Sequence, residues 1–460
     1  MQGAAKTSEA RRLFGTDGVR GLANAEPMTP ETALRLGRAI THLCARAGAA
    51  PRSIIIGKDT RVSGDMLEAA LAAGICSMGV KALAAGVLPT PGVAFLTRSM
   101  QAAAGAVVSA SHNPFSDNGI KFFAASGFKL PDAAEQEIEQ WVLDSVLDTF
   151  RPTHGDIGRF EEIDDAEERY ATFLKGTLPR ECRLDGLRIV IDCAHGAAFR
   201  VGPRVITALG ARAVAMGVDP DGTNINSGCG AAAPQCLQEA VRAQQAHLGI
   251  ALDGDADRLI LVDENGEVVD GDEVLAMMAA DMLPRGTLRH ATVVATVMSN
   301  IGLEIALRER GVRLVRTQVG DRYVVEEMVR HGYNLGGEQS GHLLFLDHST
   351  TGDGLLAALA VVRLLLERQR PLSELKRVMT KFPQTLLNVR VARRQELSSV
   401  PPVRETIERI AAELHDRGRV VVRYSGTEPL LRVMVEGEDA ARVRAFAEEI
   451  GAVIQTHLGA

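Results

Sequence analysis

At 460 residues the chain exceeds what one hydrophobic core usually organises, so several domains are expected. Its aromatic content of 4% is too low for base-stacking surfaces, and a formal net charge of −7 gives no global basic field to draw in a polyanion. These features exclude nucleic acid as a partner and leave small anionic ligands to local Arg and Lys clusters.

The six cysteines (Cys44, Cys76, Cys182, Cys193, Cys229, Cys236) form no CxxC pair, and their spacing suits neither zinc nor a disulfide framework. They fit a reducing, cytoplasmic setting. Residues 1–12 lack the apolar stretch of a signal peptide. No run approaches the roughly 20 apolar residues of a membrane span, so no membrane partner is expected.

In chain order, Ile54-Ile55-Ile56 leads into the polar Gly57-Lys58-Asp59-Thr60 and a helical stretch from Asp65 to Met78. Ile189-Val190-Ile191 leads into Asp192 to Gly196 and a segment through Leu209. Val293 to Thr296 leads into Met298-Ser299-Asn300 and a helix to about Arg310. Strand, polar turn and helix, three times over, predict three related α/β units with largely buried sheets. The tail differs: strands over 385–391, 419–424 and 430–436 alternate with helices over about 403–416 and 439–455, a smaller α+β module. The domains are expected at 12–165, 166–267, 268–382 and 383–460. Arg151 to Glu168, with Pro152, Gly155 and many acids, is the most linker-like segment.

Four segments carry chemistry, one in each unit. Ser109-Ala110-Ser111-His112-Asn113-Pro114 follows the strand-like Ala104 to Val108, and Asn-Pro biases it out of helix. A serine beside a histidine could be a nucleophile, although on these six residues an ordinary turn is the simpler reading. Asp253, Asp255 and Asp257 stand at alternate positions in Asp253 to Arg258. They are hard oxygen ligands that repel one another unless a cation joins them, which suits Mg²⁺ better than a solvated acidic turn does. An EF-hand is excluded because Arg258 stands where that loop needs Gly and the flanks read as strands.

Gly336-Gly337-Glu338-Gln339-Ser340-Gly341-His342 reads as a mobile loop offering donors and acceptors to sugar hydroxyls; alone it is a weak signal, and a plain surface turn is the better reading. Arg423-Tyr424-Ser425-Gly426-Thr427-Glu428-Pro429, with Arg432 beyond, puts a guanidinium next to a backbone nest, and phosphate binding and a simple turn are equally open. Gly57-Lys58 is no Walker A loop, since Arg52 stands where the earlier Gly would fall and Asp59 replaces the hydroxyl residue.

In this order and spacing the four segments resemble the α-D-phosphohexomutase superfamily, in which four domains each give one loop to a central cleft. The resemblance runs from about Arg12 to the C-terminus and leaves the first eleven residues without a role. It implies a phosphoserine at Ser111 and one Mg²⁺ per subunit held by Asp253, Asp255, Asp257 and the phosphorylated Ser111. It implies sugar contacts through Glu338 and Ser340, and a site for the unreacting phosphate at Arg423, Ser425, Gly426, Thr427 and Arg432. Arg20, Arg258 and Lys121 would offset negative charge, with Lys121 and His342 as candidates for proton transfer.

Phe14 to Gly21, Val319 to Tyr323, and Gln339 paired with Gly426-Thr427-Glu428 resemble the branch acting on glucosamine phosphates. That branch interconverts the 6- and 1-phosphates through a 1,6-bisphosphate and feeds UDP-N-acetylglucosamine and cell-wall precursor synthesis. The resemblance also suggests a homodimer. The rival readings are a phosphomannomutase/phosphoglucomutase with the same machinery and a non-catalytic sugar-phosphate sensor.

Overall fold

A computed structural model describes residues 13–15, 17–46, 53–144, 146–150, 152–425 and 430–459. Four sheets follow one another along the chain. The first contains β1 (Val19–Leu22), β2 (Ser53–Lys58), β3 (Lys81–Val87), β4 (Ala104–Val108), β5 (Asp117–Ala124) and β6 (Phe160–Glu162), in the order β1-β5-β4-β2-β3-β6. The second contains β7 (Arg188–Asp192), β8 (Arg212–Met216), β9 (Leu248–Leu252), β10 (Leu259–Asp263) and β11 (Val268–Val269), in the order β11-β10-β9-β7-β8. The third contains β12 (Thr292–Thr296), β13 (Arg313–Thr317), β14 (Leu335–Gly337) and β15 (Leu343–Phe345), in the order β13-β12-β14-β15.

The three sheets share one plan. In each, a central strand is flanked by two parallel partners, and the next strand returns antiparallel as a hairpin: β4–β5, β9–β10 and β14–β15. The turns of these three hairpins are 109–116, 253–258 and 338–342, so three of the four chemistry-bearing segments occupy equivalent places in related sheets. Parallel strands need helical crossovers that cover both faces, which explains why β4, β9 and β12 are buried along their whole length.

The last sheet is small and antiparallel, with β16 (Gln384–Arg390), β17 (Arg419–Tyr424) and β18 (Leu430–Glu436) in the order β16-β18-β17. Helices Pro401–Leu414 and Ala440–Leu458 complete this module. The expected architecture of three related α/β domains with mixed sheets and a smaller α+β C-terminal domain is the one observed.

The first three units are not separate bodies. One apolar cluster runs from Ile55 and Val93 through Ile191 and Leu252 to Val293 and Leu355. Tyr170, on the helix Ala166–Gly176, lies fully buried within it, and its hydroxyl donates to Asp353 at 2.9 Å. The C-terminal module keeps its own core around Val403, Ile410, Val433 and Ile450. It is joined to the third unit where the Arg419 guanidinium donates to the Ser299 carbonyl.

One segment departs from its sequence reading. Part of the linker-like stretch forms β6, which pairs in parallel with β3 and extends the first sheet. Its acidic, half-charged composition suits an edge strand, where unpaired backbone faces water. The six cysteines are free thiols, and no helix among the described residues is long and apolar enough to cross a membrane.

Candidate active site

The hairpin turn after β4 carries Ser111, whose backbone is left-handed (φ 53°) and whose side chain is buried. Its Oγ–H donates to Asp253 Oδ2 at 2.6 Å, across the boundary between the first and second units, and lies 3.3 Å from His112 Nδ1. The neighbouring Ser109 is committed elsewhere: its hydroxyl donates to Asp59 Oδ2 at 2.6 Å and accepts the Ser111 N–H at 2.9 Å. Of the two serines, only Ser111 faces the acidic loop.

That loop comes very close. A Cβ on Gly254 would lie 2.5 Å from the Ser111 carbonyl, so glycine is required there for the two turns to meet. Asp253, Asp255 and Asp257 are all buried, and each offers an oxygen within 4.8 Å of the others. Asp255 Oδ1 and Asp257 Oδ1 are buried without a hydrogen-bond partner among the described residues. Two orphaned anionic oxygens converging with a third carboxylate are what a divalent cation satisfies, so the residues present fit Mg²⁺.

The electrostatics agree. Burial, with Asp257 and Asp255 adding repulsion, pushes the Asp253 carboxyl up to about 8. Burial also opposes the Asp257 charge, but His342, Lys121 and Arg258 outweigh it and hold that carboxyl well below the usual range. Lys121, on β5, donates to Asp255 at 2.6 Å and lies 3.6 Å from Asp257 and 3.7 Å from Asp17. Despite burial, the carboxylates of Asp17, Asp255 and Asp257 hold its ammonium above its ordinary value, so it is firmly cationic. Arg20 pairs with Asp17 and reaches the Ala110 carbonyl at 3.5 Å. The Arg258 N–H donates to Asp253 at 3.2 Å, and its guanidinium faces Asp257 at 4.0 Å.

The turn after β14 is tied by backbone hydrogen bonds. Glu338 N–H donates to the His342 carbonyl, Gly341 N–H to the Glu338 carbonyl, and Leu259 N–H to the Gly341 carbonyl, each at 3.0 Å. Gly341 has φ +93°, and a Cβ there would sit 2.0 Å from the Leu259 carbonyl, so its glycine serves close packing rather than motion. Glu338 Oε1 accepts from the Gly320 N–H at 3.1 Å, and Ser340 is exposed. His342 is buried between two carboxylates, 3.6 Å from Asp257 and 3.4 Å from Asp321. Burial disfavours its charged ring, yet those two acids push it up to about 9.

Ser111, Lys121, Arg20, Asp253, Asp255, Asp257, Arg258, His342 and Glu338 therefore form one continuous polar network. Arg423, Ser425 and Arg432 stand apart, on the C-terminal sheet. Arg423 and Arg432 lie directly opposite each other on β17 and β18, so two like charges share one face. Burial and Arg432 lower Arg423 from its ordinary value, and its Nε is buried without a hydrogen-bond partner among the described residues. Two adjacent guanidiniums suit an incoming anion. Gly426 and Thr427 lie outside the described residues.

Several residues of this network carry no chemistry on sequence grounds. Lys129 pairs with both Asp17 and Asp321, tying the first unit to the third beside His342. Thr90 donates its hydroxyl to Asp255 at 2.6 Å and its N–H to the Asp255 carbonyl at 3.0 Å. Asp17 and Asp321 fall inside segments already marked by resemblance, whereas Lys129 and Thr90 have no local signal.

Models of the phosphoglucomutase/phosphomannomutase α/β/α domains I, II and III match residues 11–145, 168–266 and 270–382, and the model of the C-terminal domain matches 386–453. The chain belongs to this family of enzymes. It is 56% identical over 449 residues to the phosphoglucosamine mutase of Syntrophotalea carbinolica, covering 98% of both chains. To the phosphoglucosamine mutase of Anaeromyxobacter sp. strain Fw109-5 it is 58% identical over 454 residues, covering 98% of this chain and 97% of that one.

In fold it is similar to a phosphoglucomutase/phosphomannomutase family protein of Burkholderia thailandensis, with TM-score 0.80, 24% identity and coverage of 96% and 97%. The N-acetylphosphoglucosamine mutase of Aspergillus fumigatus is a more distant likeness, with TM-score 0.64, 16% identity and coverage of 97% and 96%.

Proposed function

We propose that the chain is a phosphoglucosamine mutase, interconverting glucosamine 6-phosphate and glucosamine 1-phosphate. The observation that carries the reading is Ser111: it is the one hydroxyl of its loop aimed at the acidic triad, in a chain 53–58% identical to proteins of that name. Phosphorylated Ser111 gives its phosphoryl group to the free O1 of glucosamine 6-phosphate: the Ser111 Oγ–P bond breaks as the O1–P bond forms, and the proton lost by O1 replaces the one that Ser111 Oγ takes up. The resulting glucosamine 1,6-bisphosphate turns around in the cleft. Its 6-phosphoryl then passes to the Ser111 oxygen, O6 regains a proton, and glucosamine 1-phosphate departs.

Asp253, Asp255 and Asp257, with the phosphorylated Ser111, would hold Mg²⁺, which supplies Lewis-acid neutralisation of the phosphoryl oxygens. Around it, the chain contributes fixed positive charge. Lys121 is held cationic by its three carboxylate neighbours, so its role is to stabilise the transferring phosphoryl rather than to accept a proton. Arg20 and Arg258 flank the same oxygens. His342, oriented and held charged by Asp257 and Asp321, is the group placed to give a proton to the departing oxygen and to recover it from the attacking hydroxyl. Glu338 and Ser340 read the sugar, and Arg423, Ser425, Gly426, Thr427 and Arg432 hold the phosphate distal to Ser111. In this reading the domains divide at 12–165, 166–267, 268–382 and 383–460.

The test compares turnover of glucosamine, glucose and mannose phosphates by one enzyme sample. Glucosamine phosphate should have the highest kcat/KM. A higher value for mannose or glucose phosphate would move the chain to a phosphomannomutase/phosphoglucomutase, and no turnover of any would leave a sugar-phosphate sensor.

A further inference from the structure

Ser111 sits in a backbone conformation that a non-glycine residue keeps only when its surroundings impose it. The structure shows what imposes it. Arg61 and Asp59, just beyond the end of β2, are fully buried and joined at 2.8 Å. From there the Arg61 guanidinium spreads across the inner side of the serine loop. It donates to the carbonyls of Ser111 at 2.9 Å, Asn113 at 2.8 Å and Asp117 at 3.0 Å, and to that of Pro114. Asp59 accepts the Ser109 hydroxyl, and that hydroxyl in turn accepts the Ser111 N–H. Asn226, from the second unit, adds a 2.9 Å bond to the same Ser111 carbonyl.

Arg61 does not face the acidic triad. Every hydrogen bond of its guanidinium goes to Asp59 or to a loop carbonyl. An arginine so committed offers no charge to substrate, yet its fork is what fixes four carbonyls at once, which a lysine ammonium could not do. We propose that Arg61, Asp59 and Ser109 form a positioning brace: by clamping both the N–H and the C=O of Ser111, they hold its Oγ against Asp253, facing the acidic triad. None of the three is a catalytic residue. The inference rests on the mutase reading for its consequence, but the brace itself is a statement about backbone geometry.

Ser109 gives the cleanest test, because Ser109→Ala removes one oxygen and Ser109→Thr keeps it. A reacting group displaced by about 1 Å can lose about a hundredfold in rate. Ser109→Ala should therefore lower kcat by about tenfold to a hundredfold, with KM for the sugar phosphate within about twofold of wild type and a lowered thermal midpoint, since the Asp59 carboxylate and the Ser111 N–H each lose a buried partner. Ser109→Thr should restore most of kcat. In a crystal structure of Ser109→Ala, φ at residue 111 should leave the left-handed region. Arg61→Lys should behave as Ser109→Ala does, and combining the two should cost less than the product of the single losses.

Wild-type kcat in Ser109→Ala, or a loss that Ser109→Thr does not restore, would overturn the proposal. So would an unchanged φ at Ser111. If the wild-type protein turned over none of the hexose phosphates, the mutase reading would fall, and the conformation of residue 111 in Ser109→Ala would still decide the brace. If Arg61→Lys does not fold, the Ser109 pair decides alone.

Discussion

Loading the acidic triad should expel a proton, and this can be worked through from Asp253. Its carboxyl, pushed up to about 8 by burial and by Asp257 and Asp255, is protonated in the metal-free protein at neutral pH. A metal ligand must be the carboxylate. Roughly 1% of Asp253 is ionised at about pH 6 and about half at about pH 8. Apparent Mg²⁺ affinity should thus rise roughly fiftyfold over that interval, about 2.3 kcal/mol, and level off above it.

The sign follows from the raised value: affinity is lost as pH falls below about 8, not gained. His342, pushed up to about 9, stays charged through most of this window and adds little to the slope. Titration calorimetry of Mg²⁺ into the chelator-treated protein, in two buffers of different ionisation enthalpy, reads both affinity and protons released. Near pH 6.5, close to one proton should leave per metal. Asp253→Asn should bind Mg²⁺ weakly and without pH dependence. Equal dissociation constants at about pH 6 and about pH 8 in the wild type, or no proton release, would refute the reasoning.

Ser111→Ala should lose nearly all turnover while staying folded, and peptide mass spectrometry of the wild type should find phosphate on Ser111, not on Ser109, whose hydroxyl is held by Asp59. Arg423→Ala should weaken both glucosamine monophosphates by similar factors, about ten- to a hundredfold for charge-assisted contacts worth about 1.5–3 kcal/mol, with Mg²⁺ binding unchanged by calorimetry. Arg322, buried against Glu135 at 2.7 Å and also paired with Asp132, joins the third unit to the first. Arg322→Met should lower stability by about 3 kcal/mol, because it takes the cation from a buried carboxylate. Adding Glu135→Gln should restore part of the thermal midpoint, and an unchanged midpoint in the single variant would show that the pair is neutral.

Much of the chain's local structure could be read from residue order. The strands at 419–424 and 430–436 appear with the bounds their β-branched runs suggest, and Ala104 to Val108 is a strand throughout. Three carboxylates at alternate positions imply a cation wherever they lie, because their repulsion is intrinsic to the spacing. Turns, strand length and helix periodicity depend on neighbours a few residues apart, and so a sequence carries them directly.

What the tertiary structure decided is which of these pieces meet. Lys129 and Asp321 are 192 residues apart, and Arg61 reaches Ser111 across 50. No periodicity marks either pairing. The glycines around Glu338 suggest mobility from sequence, but Gly341 is needed for the turn to pack against Leu259 at the start of β10. An edge strand arose within the linker-like stretch because β3 offered an open backbone ladder. Burial converts such meetings into chemistry. Once desolvated, one aspartate of the triad is raised and another lowered, although their side chains are the same, because only the folded chain places Lys121 and His342 beside Asp257 and sets Asp253 against its acidic neighbours.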